Sequence, residues 1–427
     1  MFIHVIRRGD TIQLLSREYN VPISKIIRDN ALVDVNHLVV GQSLIIKPNN
    51  FIYTVRPGDN LYEIANHYKI SVQDILDANP QITNQANLSI GDEIRIVYDN
   101  PDKVAMEING FVYPTISVEV LRQTLPHLTY ISIFSYIVRN DGTLVDIDDD
   151  RIIREAYRYN VVPLMTVTNI SSETSGEFST DLIHQILVNP ALRNGLIENI
   201  LKKMQDKDYL GVVIDFEYLN PEDRELYNQL LIDAKDRYDD FGFVLMTAVA
   251  PKIKADQKGL LYEAHDYEAH GKYTDRVIIM TYEWGYLFGP AMPVAPINEV
   301  EKVLSYAVTA IPADKILMGV PNYGYDFNIP FVEGTSAQLI SNNEAIEIVI
   351  DKNVQIQFNT KAQSPYFTYV ENNQKHEVHF EDARSITAKV NLAIQYGLKG
   401  FSYWTLNEYF PQNWLIIDYY IDVIKII

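Results

Sequence analysis

The chain has 427 residues, 47% hydrophobic and 22% charged, a composition ordinary for folded protein and a length suited to two or three domains. Its formal net charge of −20 argues against nucleic acid or anionic lipid as partner, and its lack of cysteine excludes disulfides, thiolate zinc sites and a thiol nucleophile. No run approaches the roughly 18 apolar residues needed to span a bilayer, and Met1–Ile6 leads straight into Arg7-Arg8-Gly9-Asp10, so neither membrane insertion nor a secretory signal peptide is expected. The acidity is uneven. Residues 1–97 carry nine Lys and Arg against ten Asp and Glu, so almost all of the excess lies further on.

The first elements come as a repeat. Ile6-Arg7-Arg8-Gly9-Asp10-Thr11 recurs 49 residues later as Val55-Arg56-Pro57-Gly58-Asp59-Asn60, and the parallel runs on through Tyr19/Tyr68, Asn30/Asn79 and Gly41/Gly91. Each unit reads strand, Gly-Asp turn, helix, second helix from Pro22 or Ser71, and closing strand. Two compact βααβ modules are therefore expected over 1–48 and 50–98. Gly9 and Gly58 suit a turn with positive φ, and Asp10 and Asp59 suit helix capping. Asp99-Asn100-Pro101-Asp102 reads as a short polar linker.

From 103 to 427, strand-like runs alternate with helical ones. Strands are expected at 106–112, 129–137, 161–168, 210–217, 243–250, 276–283, 315–322 and 398–405, with helices such as Asp149–Tyr159, Pro221–Tyr238 and Asp382–Tyr396 between them. Eight such strands predict an α/β fold, a (β/α)8 TIM barrel. Residues 324–380, rich in Asn, Gln, Tyr and Thr, break the pattern and read as a small α+β insertion after strand 7.

In such a barrel the chemistry lies at the C-terminal strand ends. The run Leu210-Gly211-Val212-Val213-Ile214-Asp215-Phe216-Glu217 delivers two carboxylates spaced two apart, which on a strand share a face. Two adjacent acids cannot both ionise freely, so one stays protonated near neutrality. A protonated carboxylic acid beside an ionised one is what glycosidic bond cleavage needs. Strand 6 ends in Thr281-Tyr282-Glu283-Trp284 and strand 8 in Ser402-Tyr403-Trp404.

These motifs carry two resemblances. The repeat, over 2–47 and 51–97, resembles the LysM module, which implies binding of N-acetylated glycan between two loops. In the first copy those loops hold Gly9, Asp10, Thr11, Ile12, Asn30 and Ala31; in the second, Gly58, Asp59, Asn60, Leu61, Asn79 and Pro80. Residues 105–427 resemble glycoside hydrolase family 18, whose strand 4 ends in D-x-x-D-x-D-x-E; Gly319-Val320-Pro321-Asn322-Tyr323-Gly324 adds to the likeness. The resemblance implies Glu217 as general acid, Asp215 orienting the substrate's 2-acetamido group, and Tyr282 hydrogen-bonding that group. It also implies Trp404 as floor of the −1 subsite, with Glu283, Asn322 and Tyr323 at the substrate. The nucleophile is then the acetamido oxygen, not a protein group. No metal and no cofactor is expected.

Two departures stand out. Leu210 and Val213 occupy acidic positions of the motif, and Thr166-Val167-Thr168-Asn169 replaces the family's Ser-x-Gly-Gly. Loss of the inner acid at 213 is expected to leave Asp215 more readily ionised. Tandem modules with this reduced motif are similar to the spore cortex-lytic N-acetylglucosaminidases of Gram-positive spore formers. That likeness implies a retaining β-N-acetylglucosaminidase of peptidoglycan, monomeric, placed at the spore coat–cortex boundary and active in germination. The competing expectations are a chitinase and a non-catalytic, lectin-like barrel.

Overall fold

The computed structural model describes the chain except for residues 36, 83–87, 99, 100 and 173–175. Asp99 and Asn100 of the expected linker thus lie outside the described residues. In the first repeat Phe2–Val5 pairs antiparallel with Ser43–Ile46 around helices Ile12–Glu18 and Ile23–Asp29. In the second, Phe51–Thr54 pairs with Glu93–Ile96 around helices Leu61–Tyr68 and Val72–Ala78. Helices this short are unstable alone and form because their apolar faces meet the two-stranded sheet: Leu15, Ile26 and Leu44 in one core, Ile64, Ile75 and Ile94 in the other. Thr11 and Asn60 cap the first helices by accepting the Leu14 and Glu63 amides. The aspartates expected to do so instead close the turn before, Asp10 and Asp59 each accepting an arginine amide (Arg7, Arg56) at 2.7 Å.

Eight parallel strands follow: β1 (Val104–Val112), β2 (Tyr130–Ile137), β3 (Val162–Thr168), β4 (Gly211–Asp215), β5 (Val244–Val249), β6 (Arg276–Ile279), β7 (Ile316–Pro321) and β8 (Gly400–Trp404). Each pairs with the next, and β8 returns to β1 with Gly400 opposite Glu107, closing the barrel. Alternation divides every strand between two cores. On β4, Val212 and Ile214 pack outward beneath the helices, while Val213 joins Leu164, Met246, Ile278 and Leu317 in the lumen. The N-terminal end of the lumen is closed by Glu107, which accepts both Arg276 donors at 2.6 and 2.7 Å and the Tyr130 hydroxyl at 3.0 Å. Between β7 and β8, a five-stranded antiparallel sheet and the helix Asn342–Lys352 form the expected insertion. The expected strands 210–217 and 276–283 stop short, at Asp215 and Ile279.

The first repeat is bolted to the barrel. Ile45 packs into the barrel's outer core and Val39 into that of the insertion. Across the seam the Ile356 amide donates to the Val40 carbonyl at 3.0 Å and Arg384 to the Gly41 carbonyl at 3.1 Å. Buried Gln412, from the last long helix (Pro411–Tyr420), donates to Asn30 Oδ1 at 3.1 Å and to the Ser43 carbonyl at 2.8 Å. The second repeat leans on the first: Lys69 Nζ donates to the Tyr19 hydroxyl at 2.6 Å and to Glu18 at 2.7 Å.

Candidate active site

Asp215 is the last residue of β4, buried, and its Oδ1 meets no hydrogen-bond donor among the described residues. Burial pushes its carboxyl up to about 7. The loss of an acid at 213 therefore does not make Asp215 easy to ionise: desolvation by the apolar lumen, Val213 included, works the other way. Glu217 lies two residues beyond the strand. Its carboxyl is raised well above the usual range, first by burial and then by the negative charges of Asp215 and Glu283. Pleat alternation cannot set the direction of a residue outside the strand. Side-chain hydrogen bonds do so instead: Asn169, one residue past β3, accepts the Glu217 amide at 3.0 Å and donates to the Glu217 carbonyl at 2.9 Å.

Tyr282 follows β6. Burial, and after it the charges of Asp215, Glu217 and Glu283, keep its hydroxyl protonated far above the ordinary tyrosine range. It is thus a fixed neutral donor among three carboxyls. Glu283 has a φ of 66° and is exposed as a residue, yet its carboxylate accepts the hydroxyls of Tyr323 and, at 3.1 Å, Tyr325. Trp404, at the end of β8, is half-buried. Phe134 at 4.8 Å, Phe111 at 5.5 Å and Tyr113 at 5.8 Å meet it edge-on, and the four rings make an aromatic wall. Burial and the nearby Asp215 charge both raise the Tyr113 hydroxyl.

The structure brings Asp215, Glu217, Tyr282, Glu283 and Trp404 to one mouth of the barrel. Asn322 and Tyr323 serve it from behind. Asn322 donates to the carbonyls of Thr405 at 3.0 Å and Glu408 at 2.9 Å, holding the loop after Trp404, and Tyr323 is committed to Glu283. Sequence reasoning missed Tyr113, Phe134, Asn169 and Tyr325. Tyr113 and Asn169 lie just beyond expected strands, where the strand-end rule points; Phe134 lies within one, and Tyr325 lies in the insertion and gave no signal.

The N-terminal candidates stand apart from this mouth. Gly9 and Gly58 hold φ of 95° and 91°, and Ile12 and Leu61 are core residues. Asn30 and Asn79 are buried, each bonded to its own helix and closing strand: Asn30 to Ile26 and Ile45, Asn79 to Ile75 and Arg95. Their amides are framework. A cleft beside Asn30, Ala31 and His37 runs along the seam with Asn343, Phe410 and Gln412, and holds none of the paired carboxyls. Among the described residues no metal-ligating side chains converge.

The sequence profile described as Glycosyl hydrolases family 18 matches residues 168–408, a span that takes in the whole carboxyl cluster and Trp404. The chain belongs to this family. It is a glycoside hydrolase with two N-terminal LysM domains, whose profile matches residues 4–47 and 53–97. Among family 18 relatives, the cortical fragment-lytic enzyme of Bacillus subtilis (strain 168) is 38% identical over 100% of this chain and 99% of its own. The crystal structure of the Bacillus megaterium QM B1551 spore cortex-lytic enzyme SleL superposes with a TM-score of 0.86 at 37% identity, covering 100% of this chain and 99% of that one. That of the Bacillus cereus SleL gives 0.85 at 36%, covering 99% and 98%.

Proposed function

We propose that the protein is a retaining β-N-acetylglucosaminidase that acts on spore cortex peptidoglycan fragments during germination, with substrate-assisted catalysis. The observation that carries the reading is the Glu217 carboxyl at the mouth of the barrel, where burial and the neighbouring Asp215 and Glu283 favour its protonated form. In the first step the acetamido carbonyl oxygen of the substrate attacks the anomeric carbon. The electron pair of the breaking bond goes to the leaving oxygen, which takes the Glu217 proton. Asp215 faces the acetamido nitrogen and opposes the positive charge that develops on the resulting ring, and Tyr282 donates a hydrogen bond to the acetamido group. Water then opens the ring from the vacated side, returning a proton to Glu217, so the configuration is retained. Trp404 with its edge-on aromatic neighbours supplies an apolar floor for the sugar face.

The LysM domains, taken as 1–48 and 50–98, hold the barrel of 103–427 to N-acetylated glycan, and full-length similarity to cortex-lytic enzymes supports the spore as the place of action. Mass spectrometry of products tests substrate and bond together. Isolated cortex fragments are expected to be cleaved at N-acetylglucosamine and colloidal chitin slowly. Cleavage of chitin alone would make the protein a chitinase, and no cleavage of either would leave a glycan-binding barrel. Glucosides without the N-acetyl group are expected to be inert; their efficient turnover would refute substrate assistance.

A further inference from the structure

Glu217 must carry its carboxyl to the leaving oxygen from a segment that no β-ladder supports. β4 has ended at Asp215, and Tyr218, the residue after Glu217, takes the left-handed conformation with φ of 56°. Three consecutive peptide groups here are nonetheless gripped by side chains from elsewhere. His265, fully buried, accepts the Ala250 amide on Nδ1 at 3.0 Å, which leaves the proton on Nε2 to be donated to the Phe216 carbonyl at 2.9 Å. Asn169, also fully buried, satisfies both the N–H and the C=O of Glu217 and uses its second donor on the Ser179 carbonyl at 3.1 Å. Thr180 donates to the Tyr218 carbonyl at 2.5 Å. Burial lowers the His265 imidazole to about 4, so it remains the neutral tautomer this arrangement needs.

We propose that Asn169 and His265 are positioning residues of the reaction, forming a side-chain clamp that substitutes for strand pairing and fixes the reach of the Glu217 carboxyl. The clamp rests on the reading of Glu217 as general acid. Its Asn169 stands just past β3, in the stretch Thr166-Val167-Thr168-Asn169. Both clamp residues are fully buried, with their side-chain polar atoms bonded to backbone groups. Their effect must pass through the acid, and that gives it a distinctive signature.

An acid displaced from its leaving group harms a poor leaving group and spares a good one, which departs without a proton. The test compares one N-acetylglucosaminide carrying either a sugar or a 2,4-dinitrophenolate leaving group, in the full-length protein. For Asn169→Ala, kcat on the sugar substrate is expected to fall roughly 10- to 100-fold, and on the dinitrophenyl substrate by no more than about 3-fold, with KM little changed. His265→Phe should show the same split, and His265→Gln, which keeps a donor near the Nε2 position, should restore most of the loss. The histidine pair decides the matter should Asn169→Ala fail to fold by circular dichroism. Glu217→Gln runs alongside. If it shows no leaving-group split, the assignment of the acid fails. If it shows the split while the clamp variants lose both substrates equally, or lose neither, the clamp fails.

Discussion

Gly41 and Gly91 occupy matching places in the two repeats, with φ of 89° and 93°, but only one of them lies against the barrel. A Cβ at Gly41 would come within 1.9 Å of the Ile356 carbonyl oxygen, whereas one at Gly91 would meet nothing within 4 Å. Gly41→Ala and Gly91→Ala therefore share the left-handed strain of an L-residue, about 1–2 kcal/mol, and differ only at the seam. To relieve the contact the first repeat must move away from the insertion. That threatens the Ile356–Val40, Arg384–Gly41 and Gln412–Ser43 hydrogen bonds. At about 0.5–1.5 kcal/mol each, their loss adds roughly 2–4 kcal/mol for Gly41→Ala alone. Because a chain of several domains need not unfold in one step, a melting temperature is a poor measure of this difference. Hydrogen exchange read on a peptide containing Ile356 is local to the seam. There Gly41→Ala should accelerate exchange from about 30-fold to several hundred-fold, at tenfold per 1.4 kcal/mol, while Gly91→Ala leaves it near wild type. Equal exchange at Ile356 in the two variants would refute the fused seam.

Other perturbations address the site. Asp215→Asn should cut kcat by roughly 10²–10⁴-fold by removing the charge proposed to oppose the one that develops on the acetamido group. It should also stabilise the fold: a carboxyl whose folded pKa is raised to about 7 lowers stability as pH rises from the unfolded value through 7. The variant's gain in thermal stability should thus be large at pH 8 and absent at pH 3; an equal gain at both would contradict the burial account. With Glu217 as the proposed general acid, activity should fall as pH rises through its elevated pKa. Glu283→Gln removes a charge that helps to raise it, so the alkaline limb should move to lower pH. A limb that stays put would remove Glu283 from that role. Deleting residues 50–98 should spare turnover of soluble oligosaccharides while weakening retention on insoluble peptidoglycan in a pull-down; equal losses in both would mean the second repeat supports the barrel.

The repeats and all eight barrel strands were legible because apolar runs and turn signals are local. Where contacts join distant residues, legibility ends. The sequence placed Glu217 beside Asp215 for a reason the structure replaces: the pleat stops at Asp215, and Asn169, 48 positions away, does the holding. Asn322 and Tyr323 carried a family motif and were expected at the substrate; the structure adds that the Asn322 side-chain NH2 donates to Thr405 and Glu408 and the Tyr323 hydroxyl to Glu283. Asn30 and Asn79 matched each other for a structural reason, since each ties a helix to its closing strand. Nothing local marked residues 39–45 as a surface that the barrel would cover, because the second copy, with similar residues, remains open at Gly91.

A catalytic head on a floppy tether sweeps a volume that grows with linker length and meets its target from any angle. The bolted first repeat removes that freedom. The insertion that grips Val40 through Ile356 also sends Tyr325 to Glu283, so one small sheet sets the bearing of the N-terminal arm and braces the cleft. Whatever polymer the arm grasps is presented to the cleft on one heading, as work in a vice is presented to a tool. The enzyme's reach then follows from geometry, and lengthening the chain between the two repeats would change how far it grazes without turning its cutting face.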